Sequence, residues 1–429
     1  MSSNTLSTPT SEQEPGGAPG GFEGDRKDAS LGGLLQGYVD KVRGGDLGAL
    51  PAVLGIVVLG ILFTILRPNT FPTPLNLTNL LLQAVPITVL AMGLIFILLL
   101  GEIDLSAGVV SGVSAAVMAQ LLAEAHSPWY VAVLAAIVVG ALIGLFTGSL
   151  VGIVGIPSFV VTLALFLAWQ GVTLRLIGQG GTIPVRDPVI AGISNETLPV
   201  VLGWVLAVLI VLAYAALELN KARRQRAKGL ATDPVLVVAA KIAVIAVVVL
   251  GVTALLSVDR ALNPNFVLAG IPYAIPVVVI LLLLLTFVLG RTGFGRHVYA
   301  VGGNAEAARR AGINVTRIKV LVFVLGGTMA AISGILAASR LGSVTPGSGA
   351  GNTLLYAVGA AVIGGTSLFG GRGRVRDAVL GGLVIAIIAN GLGLLGVQAY
   401  LNFIITGGVL LLAASVDALA RRRAAATGR

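Results

Sequence analysis

The chain has 429 residues, of which 56% are hydrophobic and only 11% charged, with 58 glycines and a formal net charge of +10. Soluble domains carry roughly 25% charged residues, so this composition excludes a soluble globular protein and points to an integral membrane one. There is no cysteine, which rules out disulfides and thiolate metal or redox chemistry, and the two histidines, His126 and His297, stand too far apart to suggest a metal cluster.

The first 46 residues are rich in Ser, Thr, Gly and Glu and lack the apolar core of a signal peptide, so a disordered cytoplasmic tail is expected over 1–46. Apolar runs follow near 50–67, 77–100, 105–123, 129–154, 158–177, 198–218, 236–257, 266–290, 320–340, 352–369, 377–395 and 400–419. Continuous runs of this length suit helices crossing a bilayer and not the short alternating strands of an outer-membrane barrel. The expected fold is an all-α polytopic membrane bundle of about 12 spans over 47–420, two of them alternatively re-entrant, followed by a basic cytoplasmic tail at 421–429.

Lys and Arg set the expected orientation. With the N-terminus in the cytoplasm, 22 of the 28 basic residues fall on that side. Both termini are therefore expected inside. The positive charge lies at span boundaries, where it orients and anchors the chain, and no nucleic-acid partner is implied. The spans within about 198–257, joined by the run Lys221–Lys228, are poor in small or polar packing residues and read as a lipid-facing hairpin.

Three segments and one further residue carry polar groups that a membrane span rarely holds without reason. The first is GEIDLSAG, where Glu102 and Asp104 follow a long apolar run. A carboxylate there is either functional, because burial is expensive, or a cap in which Asp104 or Ser106 starts the next span. The second is PSFVVTL with Ser158, Phe159 and Thr162, followed by Trp169 and Gln170. Sugar sites pair an aromatic face with hydroxyl and amide groups, whereas a lone Trp more often anchors at the interface. The third runs from Ser339 through the glycine-rich GSVTPGSGAG to AVIGGTSLFGGRG, permitting either tight helix crossings or broken helices around a cavity. Asn390, inside an apolar span, either lines a pathway or bonds a neighbouring helix.

The longest polar stretch between spans is residues 291–319, with six Lys/Arg against the single acid Glu306. Asn304 is an expected N-cap, Glu306 suits the positive end of the helix dipole, and Gly312 is a natural stop. Glu306 and Arg310 stand four apart, in the better order for a helical ion pair. Asn314 offers a second N-cap. The result is either a basic loop that only fixes topology or a compact knob for a soluble partner. The Walker A phosphate motif, the zinc motif HExxH and the nucleophile elbow are all absent, so no catalytic residue is expected.

The order GRHVYAVGGNAEAARRAGINV closely resembles the coupling loop of permeases of ribose/xylose-type ATP-binding-cassette sugar importers, and PSFVVTL and AVIGGTSLFGGRG resemble the same family. GEIDLSAG matches its G-G-I-D-L-S-x-G pattern, with Glu102 in place of a small residue. The resemblance runs from about residue 76 to 420. It implies a ten-helix core plus the inserted pair, as in xylose-type members. It also implies a loop that docks on a separate cytoplasmic ATPase through Gly303, Asn304, Glu306, Ala307, Ala308, Arg309 and Gly312. A homodimeric second copy and an extracytoplasmic sugar-binding protein complete the implied assembly in the cytoplasmic membrane, with no cofactor or metal in this chain. Asp104, Ser106, Ser158, Phe159, Thr162, Gln170 and Asn390 are the candidate pathway residues, and xylose or another pentose is the expected cargo. The competing expectation is an ion-coupled secondary transporter with Glu102 or Asp104 titrating.

Overall fold

The structure is a computed structural model that describes residues 48–228, 234–261, 263, 265 and 267–426. The tail expected over 1–46 and residues 427–429 lie outside the described residues. Eight of the described helices are long and apolar enough to cross a membrane, and shorter apolar stretches occur at Leu50–Leu66, Ala107–Ala123, Thr353–Gly364 and Ala399–Val409. The chain is thus an all-α polytopic membrane protein.

In chain order, α1 (Leu50–Leu66), α2 (Pro74–Leu99), α3 (Ala107–Ala123) and α4 (Trp129–Ser149) come first. A π turn at Leu150–Val154 ends α4, and α5 (Ser158–Ile177) follows. A connection then carries β1 (Ile183–Pro184), α6 (Pro188–Asn195) and β2 (Thr197–Leu198). The hairpin is α7 (Val200–Ala227) and α8 (Val235–Ser257), followed by β3 (Ile271–Pro272) and α9 (Ala274–Arg291). The polar stretch folds as α10 (Gly293–Gly303) and α11 (Ala305–Arg310). The chain ends with α12 (Val315–Leu341), β4 (Ser343–Val344), α13 (Thr353–Gly364), α14 (Val375–Leu394) and α15 (Ala399–Ala426). The strands form two small antiparallel ribbons, β1 with β4 and β2 with β3.

The core is built on α2, which packs against α12, α13 and α14. Of its apolar window, 72% is buried inside the protein, against 6% for α8 and 11% for α7, the two helices of the hairpin. α2 begins with Thr73 as N-cap and Pro74 in the first turn, where a missing N–H costs nothing. Pro86 lies inside the continuous helix, and Ser333 of α12 donates to the Pro86 carbonyl at 2.7 Å. A hydroxyl that would otherwise be unpaired between helices thus finds a backbone acceptor, as it must where no water is available.

One close crossing is α4 on α12. Gly140, Gly144 and Gly148 of α4 and Gly152 of the following π turn stand about one turn apart and lie against Val320, Phe323 and Gly327. A Cβ on Gly140 or Gly144 would run into the carbonyls of Gly327 and Phe323. Small residues every fourth position let two backbones meet and gain dispersion contacts, which replace the absent hydrophobic drive between helices in lipid.

Several boundaries differ from the sequence reading: α12 begins at Val315 and α15 continues to Ala426, into the residues expected as a basic tail. The run expected near 266–290 becomes helical only at Ala274, because the preceding residues fold back. Arg260 donates to the Leu256 and Gly270 carbonyls, and Gly270 takes φ +109°. α7 continues well beyond residue 218 to Ala227, about 42 Å at 1.5 Å per residue. That exceeds a hydrocarbon core of about 30 Å, so its basic end projects from the bilayer. The run near 352–369 is helical only over Thr353–Gly364, about 18 Å, too short to cross alone. Irregular backbone leads into it, with Ser348 and Gly349 against Gly108 and Gly112 of α3. Non-helical backbone at membrane depth is tolerated where protein covers it or a cavity runs beside it.

Gly144→Leu forces the α4–α12 crossing apart. We expect a loss of about 1–3 kcal/mol, the usual cost of overpacking, read as a lowered unfolding midpoint in detergent. The same substitution at Gly171, which has open space around it, leaves the midpoint within about 0.5 kcal/mol.

Candidate functional site

The polar stretch folds as a knob of two short helices. Thr292 caps α10 by accepting from Gly295 N–H at 3.2 Å. Asn304 caps α11 through Ala307 N–H at 2.9 Å, and Asn314 caps α12 through Arg317 N–H at 2.9 Å. Gly312 turns the chain between α11 and α12 with φ +84°, a conformation that glycine takes without cost. Glu306 pairs with Arg309 at 2.9 Å and with Arg310 at 3.5 Å, all three strongly exposed. Exposed pairs like these contribute little stability. Of the knob residues singled out, Ala308 faces inward and is buried, while Gly303, Asn304, Glu306, Ala307, Arg309 and Gly312 are exposed.

The opposite face of the knob is clamped to the helix core. Gly371 N–H donates to the Leu99 carbonyl at the end of α2 at 2.9 Å, and Gly302 packs on that carbonyl so closely that a Cβ would collide with it. Tyr299 donates to the Gly373 carbonyl at 2.7 Å, and Phe294 stacks near Phe96 of α2 with ring centroids 6.5 Å apart. The loop carrying Gly371 and Gly373 is itself fixed. Asp377 in the first turn of α14 accepts from Thr366 Oγ1 at 3.1 Å and from Arg374 N–H at 2.7 Å.

Beside the knob lies the turn between α2 and α3. Lys319 of α12 reaches Glu102 at 2.5 Å, both side chains mostly buried. Asp104 is buried and accepts from both the backbone N–H and the hydroxyl of Ser106, at 2.8 and 2.6 Å. Burial raises its carboxyl above the usual carboxylate range, opposed by the Ser106 bonds. Between these acids, Ile103 is held by α5: its N–H donates to Ser158 Oγ at 3.2 Å and its carbonyl accepts from Thr162 at 3.3 Å. A cleft of about 210 Å³ opens here, lined by Glu102, Gly155, Pro157, Arg309, Thr316 and Lys319.

The candidate pathway residues therefore do not form one cluster. Asp104, Ser106, Ser158 and Thr162 meet at the α2–α3 turn. Phe159 and Gln170 lie on the exposed side of α5. Asn390 of α14 exchanges two amide hydrogen bonds with Asn76 of α2, at 3.0 and 2.9 Å, which is the helix-bonding alternative for that residue. Trp169 buries its indole N–H without a hydrogen-bond partner, unlike a headgroup-level tryptophan whose N–H is wet. Sequence reasoning missed the Glu102–Lys319 pair, the Asn76–Asn390 exchange and the Tyr299 bond. Each joins residues far apart in the chain; the odd acid Glu102 and the polar Asn390 marked two of these places without revealing the partner. No group of acidic or histidine side chains fit to hold a metal occurs among the described residues.

Residues 76–414 match the family model described as branched-chain amino acid transport system / permease component. The xylose transport system permease protein of Escherichia coli K12 is 35% identical over 379 residues, covering 88% of this chain and 93% of that protein. The protein of the same name from Haemophilus influenzae is 33% identical over 377 residues, 88% of this chain and 98% of its own. The ribose import permease protein of Escherichia coli K12 is 31% identical over 367 residues, 85% of this chain and 92% of that one. No solved structure gives a significant match.

Asn390→Leu leaves the Asn76 amide unpaired between α2 and α14. We expect a loss of about 0.6–2 kcal/mol, the range for interhelical hydrogen bonds in membranes, read by denaturant titration in micelles. Unchanged stability would mean that the exchange contributes nothing.

Proposed function

This chain belongs to the branched-chain amino acid transport system / permease component family, and on that premise we propose that it is the membrane-spanning subunit of an ATP-driven monosaccharide importer, with xylose or another pentose as cargo. The xylose permease proteins among its relatives, each aligned over nearly its whole length, support that cargo. The observation that carries the reading is the two-faced knob. One face presents Glu306, Arg309 and Arg310 outward, and the other is clamped to α2 and to the loop before α14. A projection built this way transmits force from a soluble partner into the helices.

The partner is a cytoplasmic ATPase on a separate chain, since this sequence has no Walker A lysine to hold phosphates. The knob side is then cytoplasmic, both termini lie inside, and a sugar-binding protein delivers cargo to the opposite face. Two copies of the chain enclose the pathway. Closure of the ATPase dimer on ATP shifts the two knobs as rigid bodies and alternates access to the cavity. No covalent step occurs in this subunit. The relatives described above are permeases of sugar transport or import, and none of them is an ion-driven carrier.

Glu306→Arg replaces the acid at the α11 N-terminus, which the helix dipole favours, and adds a third positive charge beside Arg309 and Arg310. Membrane insertion stays intact, and co-purification of the ATPase falls by about 30-fold, the loss of one interface hot spot. Undiminished co-purification contradicts docking at the knob.

A further inference from the structure

The knob touches α2 and the loop before α14 directly, but among the described residues no backbone hydrogen bond joins it to α5. The short route to α5 is electrostatic. Lys319 stands just beyond the Asn314 cap that closes the knob, and it holds Glu102 at 2.5 Å. The next residue, Ile103, is gripped on both sides of its backbone by Ser158 and Thr162 in the first two turns of α5. Displacement of Lys319 thus reaches α5 through one ion pair and two hydrogen bonds.

We propose that the Glu102–Lys319 pair is the positioning link that carries knob movement into α5 and thereby sets how much ATP the importer consumes per sugar. The inference rests on the ATP-driven reading above.

Three features fit this role. The pair is largely buried, with side-chain exposures of 15% for Glu102 and 25% for Lys319, whereas the knob's own pairs at Glu306 are open to solvent. Removing one partner of a desolvated pair strands the other charge, so the two move together at far lower cost than they separate. The pair also sits beside a cleft of about 210 Å³, which leaves room for the turn to shift without clashing. Finally, the adjoining backbone is adapted to bend. Gly101 has φ +74° and Gly155 φ +84°, and the π turn Leu150–Val154 precedes Gly155 and Pro157 at the entry to α5. Single π turns are frequent where helices must adjust. Arg309 is the other charged side chain lining the cleft, and Asp104 faces Ser106 instead. Neither replaces Lys319 as the partner of Glu102.

The test uses Glu102→Gln, Lys319→Gln and the charge swap Glu102→Lys/Lys319→Glu in two measurements. In the detergent-solubilised chain alone, amide exchange across 102–107 and 158–162 should quicken in both single variants and return towards wild type in the swap. In liposomes holding the full importer with xylose as probe, ATP hydrolysed per sugar should rise about tenfold in each single variant, a coupling energy within the usual range for contacting residues. ATPase association should stay at the wild-type level, and the swap should recover most of the coupling. Single variants with wild-type exchange or a wild-type ATP-to-sugar ratio overturn the link, as does a swap no better than the worse single variant. Absence of ATP-driven xylose uptake in the wild-type assembly would refute the functional reading instead, while the exchange measurement still decides whether the pair holds the turn to α5.

Discussion

The junction at the Leu99 carbonyl holds the working parts of this protein together. That oxygen ends α2, accepts from Gly371 N–H at 2.9 Å, and has Gly302 of the knob packed upon it. Three segments distant in sequence thus share one backbone group, and glycine is what lets them approach. Gly370 and Gly371 both have positive φ, and any side chain on Gly302 would occupy the oxygen's place. Helix ends leave carbonyls unsatisfied, and here one such carbonyl is satisfied by the loop that must move with the knob. The knob is consequently an extension of the core and not a tethered loop.

From this junction two arms follow. One runs through the loop before α14, where Asp377 fixes Thr366 and Arg374, into the short helix α13 and the irregular backbone preceding it. The other runs through Glu102 and Ile103 into α5. Between them stands the α4–α12 crossing, whose glycine contacts allow little relative movement. In the proposed importer, the α4–α12 pair would serve as the scaffold and the two arms as the routes by which knob movement reaches the cavity walls. This arrangement also explains why polar side chains are few within the spans. A pathway that opens by wall movement holds its cargo only briefly.

Much of this was legible in the sequence, and unequally so. Asn304, Glu306, Gly312 and Asn314 act locally, through caps and turns whose rules span three or four residues, and the structure bears out each cap. Run length located every apolar helix, but only eight of the twelve expected spans are described helices long enough to cross; the runs at Leu50–Leu66, Ala107–Ala123, Thr353–Gly364 and Ala399–Val409 are shorter. The glycines at 140, 144, 148 and 152 were open to reading as a small-residue repeat that sequence reasoning did not exploit. The hidden parts are those that pair residues across the fold. Asn390 gives no sign in sequence that Asn76 is its partner, and Glu102 gives none that Lys319 lies opposite. The boundary at Ala274 was likewise hidden, because Arg260 bends the preceding apolar residues back through contacts that hydropathy does not register.

The central claim is that this chain is one part of an ATP-driven sugar importer. The direct measurement is uptake of a panel of labelled pentoses into liposomes containing the chain alone, or the chain with its ATPase and sugar-binding protein. The account predicts uptake only with the complete set and only with ATP, strongest for xylose. Uptake by the chain alone, abolished by an ionophore, would contradict it.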